Sequence, residues 1–307
     1  MCHNAIDDNC DGIVDDPPGP LGLLRDLSES GAAEQPQLAF VEDTLFIFWI
    51  ERLDVDRLIM SVVDPWSESP PERIAESVFD LLRSYSVVQT EDGFGIALAL
   101  SGEYTRTPAI WFTTLDLSGN LGEIQEVVSS SGASVEQPTL AWNGENFGLA
   151  YRDSSTGGIH FTMFDADGGL VYHSPTSTDP LEAATHIDPK LVWVPDAGQW
   201  GLGYQALAGG SSAVWAASIG ATGGIVDRKR VSDLLEHAFH PDVVAASDIM
   251  ALTWWNYGDE TLRFAVARLE IDGVVSEPAV DLLSVSGASN EAPSPAITWN
   301  EGLLGLA

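Results

Sequence analysis

Cysteine is almost missing from this chain: Cys2 and Cys10 are the only two, both inside the first ten residues. The rest of the chain therefore has no cysteine nucleophile and no thiolate for a metal. Lysine is as scarce, at Lys190 and Lys229 alone. With 13 basic against 46 acidic residues, the formal net charge is −33. A surface of that sign repels nucleic acid and anionic membranes, so no nucleic-acid partner is expected. No apolar run reaches the roughly 18 residues of a transmembrane helix, so this segment is not expected to insert in a membrane. Met1-Cys2-His3 has neither the basic start nor the apolar segment of a signal peptide. Also missing are G-x-S-x-G, H-E-x-x-H, a P-loop, S-x-D-x-G-x-x-W turns, a kelch double glycine and a WD pair.

What the chain does have is a repeat. Pro138 to Asp153, PTLAWNGENFGLAYRD, reads as a strand, a tight Asn143-Gly144 turn and a second strand. Phe147 to Tyr151 alternates large and small residues with a strand's period of two. Ile159 to Phe164 reads as a third strand, closed by a turn at Gly168. Copies begin at Pro36, Tyr85, Pro138, Pro189, Pro241 and Pro295, at intervals of 49 to 54 residues.

About 40–50 residues, four strands and glycine-bearing turns describe a β-propeller blade. The expected fold is thus all-β, over residues 21–307. It has five whole blades and a sixth shared between the chain ends, with residues 21–29 as its closing strand. The sixth copy stops within its second strand, so the sequence reads as a fragment, and seven or eight blades stay open. Residues 17–20, Pro-Pro-Gly-Pro, read as a stiff linker.

Residues 1–16 differ from everything after them. Asp7-x-Asn9-x-Asp11-Gly12-Ile13-x-Asp15 follows the first nine positions of a calcium loop. Asp7, Asn9, Asp11, the Ile13 carbonyl and Asp15 are the candidate ligands, and Gly12 permits the sharp turn. Pro18 replaces the bidentate twelfth ligand, so this is not a helical EF-hand. Cys2 and Cys10 bracket the loop and are expected to form a disulfide. Ca2+ is the expected ion. Copper, with His3 and the cysteines as softer ligands, is the alternative, and a metal-free acidic linker is the third reading. The run C-x-N-x-x-D-D-N-C-D-G-x-V-D-D resembles the short Cys/Asp-rich "putative metal-binding motif" of bacterial cell-surface and secreted proteins, the MopE-like type. It resembles thrombospondin type-3 calcium repeats more loosely. The resemblance covers residues 2–16 and implies an exported, metal-binding protein, secreted or held at the cell surface.

In a propeller, the loops before first strands and after second strands surround one mouth of the channel. Glu34, Glu51, Glu136, Asp153, His186, His237 and His240 are the candidates there, with Asp188 and Arg152 beside them. The three histidines suggest a His-plus-carboxylate metal site, weighed against ordinary polar loop residues. With no catalytic motif in the ring, the leading expectation is a non-enzymatic exported scaffold that binds a glycan, a protein or a small ligand. The alternative is a propeller glycoside hydrolase or polysaccharide lyase, with paired carboxylates from Glu34, Glu51, Glu136 and Asp153.

Overall fold

The computed structural model describes residues 32–41, 44–63, 72–79, 81–101, 108–130, 134–173, 185–232, 237–246, 248–258, 261–270, 275–286, 295–300 and 303–306. The candidate metal loop, Cys2, Cys10, the linker and the closing strand at 21–29 lie outside them.

Among the described residues every regular element is a strand. The first sheet holds β1 (Ala33–Val41), β2 (Thr44–Arg52), β3 (Asp56–Val63) and β4 (Glu72–Phe79). The second holds β5 (Leu82–Gln89), β6 (Gly93–Leu100), β7 (Ala109–Asp116) and β8 (Gln125–Ser129). The third holds β9 (Val135–Trp142), β10 (Phe147–Asp153), β11 (Gly158–Phe164) and β12 (Leu170–His173). The fourth holds β13 (Thr185–Val194), β14 (Gln199–Ala208), β15 (Ser211–Gly220) and β16 (Ile225–Arg230). The fifth holds β17 (His237–Ala246), β18 (Ile249–Gly258), β19 (Thr261–Glu270) and β20 (Val275–Ser286). A pair, β21 (Ile297–Asn300) and β22 (Leu303–Leu306), follows. Each four-stranded sheet is an antiparallel meander in chain order. The fold class is all-β with propeller blades, as the repeat implied.

The chain divides into two compact units, Met1–Ser77 and Val78–Ala307. The first contains the β1–β4 sheet, whose last strand runs just past the boundary. The second contains the remaining blades, and there successive blades meet along their first strands, β5 on β9, β9 on β13, and β13 on β17.

The alternation in the second strands builds the layers between blades. Phe147, Leu149 and Tyr151 pack with Ala97, Ala99 and Phe112 of the second blade. Ala150, on the opposite face of β10, packs with Trp200, Leu202 and Tyr204 of the fourth. Glycine is required where the next blade's bulky residue lies flat on the strand. A Cβ on Gly148 would stand 2.8 Å from the Trp200 ring, and one on Gly201 2.6 Å from the Met250 sulfur. Gly95 sits likewise under Phe147. One strand position is thus small because its neighbour's is large.

The Asn143-Gly144 turn departs from the two-residue hairpin expected. The loop runs from Asn143 to Asn146, closed by a backbone bond of 3.2 Å between those residues. The Asn143 side chain accepts the N–H groups of Glu145 and Asn146 at 2.9 and 2.7 Å. Asparagine here caps a wider loop, and only Gly144 takes a positive φ, 95°.

A bulge recurs at the start of the first strands. Gln35, Gln137, Asp188 and His240 each precede a proline and have φ of 53–54°. Each residue–proline pair stands opposite one aromatic of the second strand: Trp49, Tyr151, Tyr204 and Trp254. Two residues against one define a β-bulge, and the left-handed φ is its cost.

Candidate active site

In the second unit the bulges line up side chains between blades. Gln137 Oε1 accepts the Asp188 N–H at 3.0 Å, one blade on. Asp188 Oδ2 lies 3.3 Å from His240 Nδ1, one blade further. The residue after each repeat start (Tyr85 in the second blade, a proline in the others) forms a second row. Ser86 Oγ accepts the Leu140 N–H at 3.0 Å, Thr139 Oγ1 the Leu191 N–H at 3.2 Å, and Asp242 Oδ2 the Ile297 N–H at 2.9 Å. Each rung contributes about 1 kcal/mol and fixes the stagger of neighbouring blades. At this position the fourth blade has Lys190, which cannot accept. Its ammonium turns back to Asp188 Oδ1 at 3.9 Å.

Asp188, Lys190, His240 and Asp242 therefore form one cluster on β13 and β17. The His240 side chain is 40% exposed and Lys190 36%, so solvent reaches both. Burial raises the proton affinity of Asp242 above the carboxylate norm, and the negative charge of Asp188 adds to this. Lys190 and the N–H groups of Ile297 and Val243 act in the opposite sense. Asp188 orients the imidazole through Nδ1 and leaves Nε2 for proton exchange. The cluster brings together two carboxylates, an imidazole and an ammonium group.

Other candidates from the sequence have structural partners. In the first unit, Glu51 is 2% exposed, accepts Arg73 Nη2 at 2.9 Å and takes Trp49 Nε1 at 3.3 Å. Glu34 pairs there with Arg52 at 3.0 Å, and Arg52 also binds Asp56. In the second unit, Glu136 pairs with Arg152 at 2.8 Å. Asp153 caps its own turn, accepting the Ser155 N–H at 2.8 Å and its hydroxyl at 2.6 Å. These four carboxylates thus engage arginines or a local turn.

The three mouth histidines also part company. His186 is buried, its ring 5.0 Å from Tyr204. Burial lowers its pKa, and the charge of Arg228 adds to this. The Tyr204 hydroxyl is pushed up to about 12 by burial. His237 is exposed on β17, and His240 is held by Asp188. Among the described residues no group of three or more His, Cys, Asp or Glu is placed to hold a metal ion. Sequence reading gave Lys190 and Asp242 no role in the site. Their signal was available, since the position after each repeat start (Tyr85, Pro138, Pro189 and Pro241) recurs as Ser86, Thr139, Lys190 and Asp242, polar within apolar strands.

No protein-family model matches the chain, and no curated protein matches it. Solved structures do. An ulvan lyase of polysaccharide lyase family PL25 superposes with a TM-score of 0.56 at 11% identity, over 85% of this chain and 71% of that one. The same enzyme bound to -[GlcA(1-4)Rha3S]- gives the same values. An exo-1,5-α-L-arabinanase from a bovine ruminal metagenomic library matches at TM-score 0.49 and 13% identity, over 80% of this chain and 95% of that one. The likeness is one of fold. It corrects the expectation of a non-enzymatic scaffold in favour of the alternative, because the superposed structure above a TM-score of 0.5 is a polysaccharide lyase. No helix among the described residues is long and apolar enough to cross a membrane.

Proposed function

We propose that this chain is a polysaccharide lyase acting on a uronate-containing glycan at the inner ends of β13 and β17. The observation that carries the reading is the contact between half-buried His240 and Asp188, with Lys190 beside them. Elimination needs a base for the proton next to the sugar carboxylate, a cation for the charge that develops there, and an acid for the departing oxygen. His240 Nε2 takes the proton, with Asp188 holding the imidazolium that forms. Lys190 faces the uronate carboxylate as charge spreads into it. Asp242, whose proton affinity burial raises, donates a proton to the leaving glycosidic oxygen as the carbon–oxygen bond breaks and a carbon–carbon double bond forms. Hydrolysis fits less well, because Asp188 already meets Lys190 with one oxygen and His240 with the other. The fold shared with an ulvan lyase supports the same class.

The test is incubation with a panel of uronate polymers and neutral glycans, read in two ways. Ultraviolet absorbance of unsaturated ends that rises with the reducing ends supports elimination, and His240→Gln should abolish both signals. Reducing ends without unsaturation would identify a hydrolase instead. For the N-terminal loop, calcium binding through Asp7, Asn9, Asp11, Ile13 and Asp15 is proposed separately. Calorimetric titration with calcium and then copper, on the chain and on Asp11→Ala, decides between the ions.

A further inference from the structure

The outer strands of the third and fourth blades begin with aliphatic residues that meet solvent. β12 opens with Leu170-Val171 and β16 with Ile225-Val226, each pair following two glycines of the turn before it. Leu170 is 64% and Val226 59% exposed, and Val171 and Ile225 are exposed with them. Among the described residues no strand lies beyond β12 or β16 in its sheet. Such edges are commonly blunted by charge, lysine above all.

The register turns these side chains outward. In the fourth blade Asp227 opposes Ser218 and Ile225 opposes Ile219, so Val226 is the extra residue of a bulge. In the third, Tyr172 opposes Met163 and Leu170 opposes Phe164, which puts Val171 in the same position. A bulge re-aims a side chain that would otherwise follow the alternation into the layers between blades. Neighbouring blades bring the pairs together. A Cβ on Gly223, two residues before Ile225, would meet the Tyr172 ring, next to Val171. One on Gly168, two residues before Leu170, would stand 2.6 Å from Gln125 Oε1, beside exposed Ile124. Ile124, Leu170-Val171 and Ile225-Val226 therefore step from the second blade to the fourth as one apolar row. Ile225 is four residues along the strands and three strands across from Asp188, roughly 13 Å and roughly 14 Å.

The charge around the row has one sign. Residues 116–126, 165–173 and 220–227 hold Asp116, Glu123, Glu126, Asp165, Asp167 and Asp227, and no lysine or arginine. The cations that follow run along β16 away from the row. Arg230 donates there to the Ser232 carbonyl at 3.2 Å, and Lys229 shares a small depression with Asp227 and Glu270. A second copy of this chain would bring the same acids against the row, with a net charge of −33 on each side. An anionic membrane is repelled in the same way.

We propose that the row from Ile124 to Val226 is a docking surface for a cationic polypeptide whose apolar side chains are flanked by lysine or arginine. The aliphatic side chains give up water on contact, and the acids beside them match the partner's cations. The surface is independent of the lyase reading, since it lies at the other end of the blades from Asp188 and His240.

The experiment is fluorescence anisotropy on the full chain with three labelled peptides, alternating Lys-Leu, Lys-Ser and Glu-Leu. Lys-Leu should bind about tenfold or more tighter than Lys-Ser, Glu-Leu should not bind, and salt should weaken binding. Leu170→Ser/Val226→Ser removes two exposed side chains and keeps every charge, so general attraction to the acidic surface survives it. That variant should melt as the parent does and lose about tenfold or more in affinity for Lys-Leu. Should it fail to fold, Glu123→Gln/Asp167→Asn lowers the charge beside the row and should weaken Lys-Leu binding in a folded protein. Equal binding of Lys-Leu and Lys-Ser, Lys-Leu binding that both variants leave unchanged, or no peptide binding would overturn the proposal. Dimers in sedimentation that Leu170→Ser/Val226→Ser abolishes would assign the row to a second copy, and phosphatidylcholine vesicle binding lost in that variant would assign it to a lipid surface. Either result overturns the proposal as well.

Discussion

His240 carries the chemistry only if Asp188 holds it. Asp188→Asn leaves the shape but removes the negative charge beside Nδ1, and should lower turnover by about 10²–10⁴-fold with little change in melting temperature. Initial rates on a uronate polymer check this. Asp242 adds a stability test. Burial raises its folded pKa above 3.8, so the unfolded chain ionises first as pH rises, and stability is lost from there up to the folded pKa. Asp242→Asn should therefore unfold at higher denaturant than the parent at neutral pH, with the gap closing toward pH 3.8. His186 and His160 run the other way. Burial lowers both below 6.5, so the unfolded chain takes up protons first as pH falls through 6.5, and stability drops. His186→Phe should flatten that part of the profile in denaturant titrations at stepped pH. At this scale the sequence showed His240 and Asp188 before a first strand but not that they touch. They are 52 positions apart, and only the bulges of two blades aim one at the other.

At the scale of the strand, the period-two pattern and the proline spacing gave the elements directly. Pro36, Tyr85, Pro138, Pro189 and Pro241 all fall inside observed first strands. The left-handed residue before each proline was not visible, because nothing in a Gln-Pro or His-Pro pair demands positive φ. The aromatic across the sheet imposes it, since one large residue faces two small backbone steps. The recurrence of that φ at Gln35 and Gln137 shows that the strain at His240 belongs to the repeat rather than to catalysis. The glycines of the second strands give the clearest mutational test. Gly148→Ala drives a Cβ to 2.8 Å from Trp200 and should cost about 1–3 kcal/mol by denaturant titration. In the first unit, Arg73→Ala leaves the Glu51 carboxylate buried with only the Trp49 N–H, and should cost about 1–3 kcal/mol.

At the scale of the molecule, the charge of −33 is a self-repulsion that salt screens. The melting temperature should rise with sodium chloride, and a fall would show that attractive pairs such as Arg73 with Glu51 outweigh the repulsion. The all-β class, the repeat length and the blade boundaries were set by sequence alone, because alternation and turn residues act over a few neighbours. The sign of the surface was set there too, because charges simply add. Which residues meet was decided by tertiary structure. Glu34, Glu51, Glu136 and Asp153 looked like free acids, yet cross-strand arginines and a local turn use them. Lys190 and Asp242 looked unrelated to His240 and Asp188, yet packing one blade's first strand on the next joins all four. Contacts between repeats depend on the stagger of whole sheets, which is fixed only once the rungs between blades and the glycine–aromatic layers have formed.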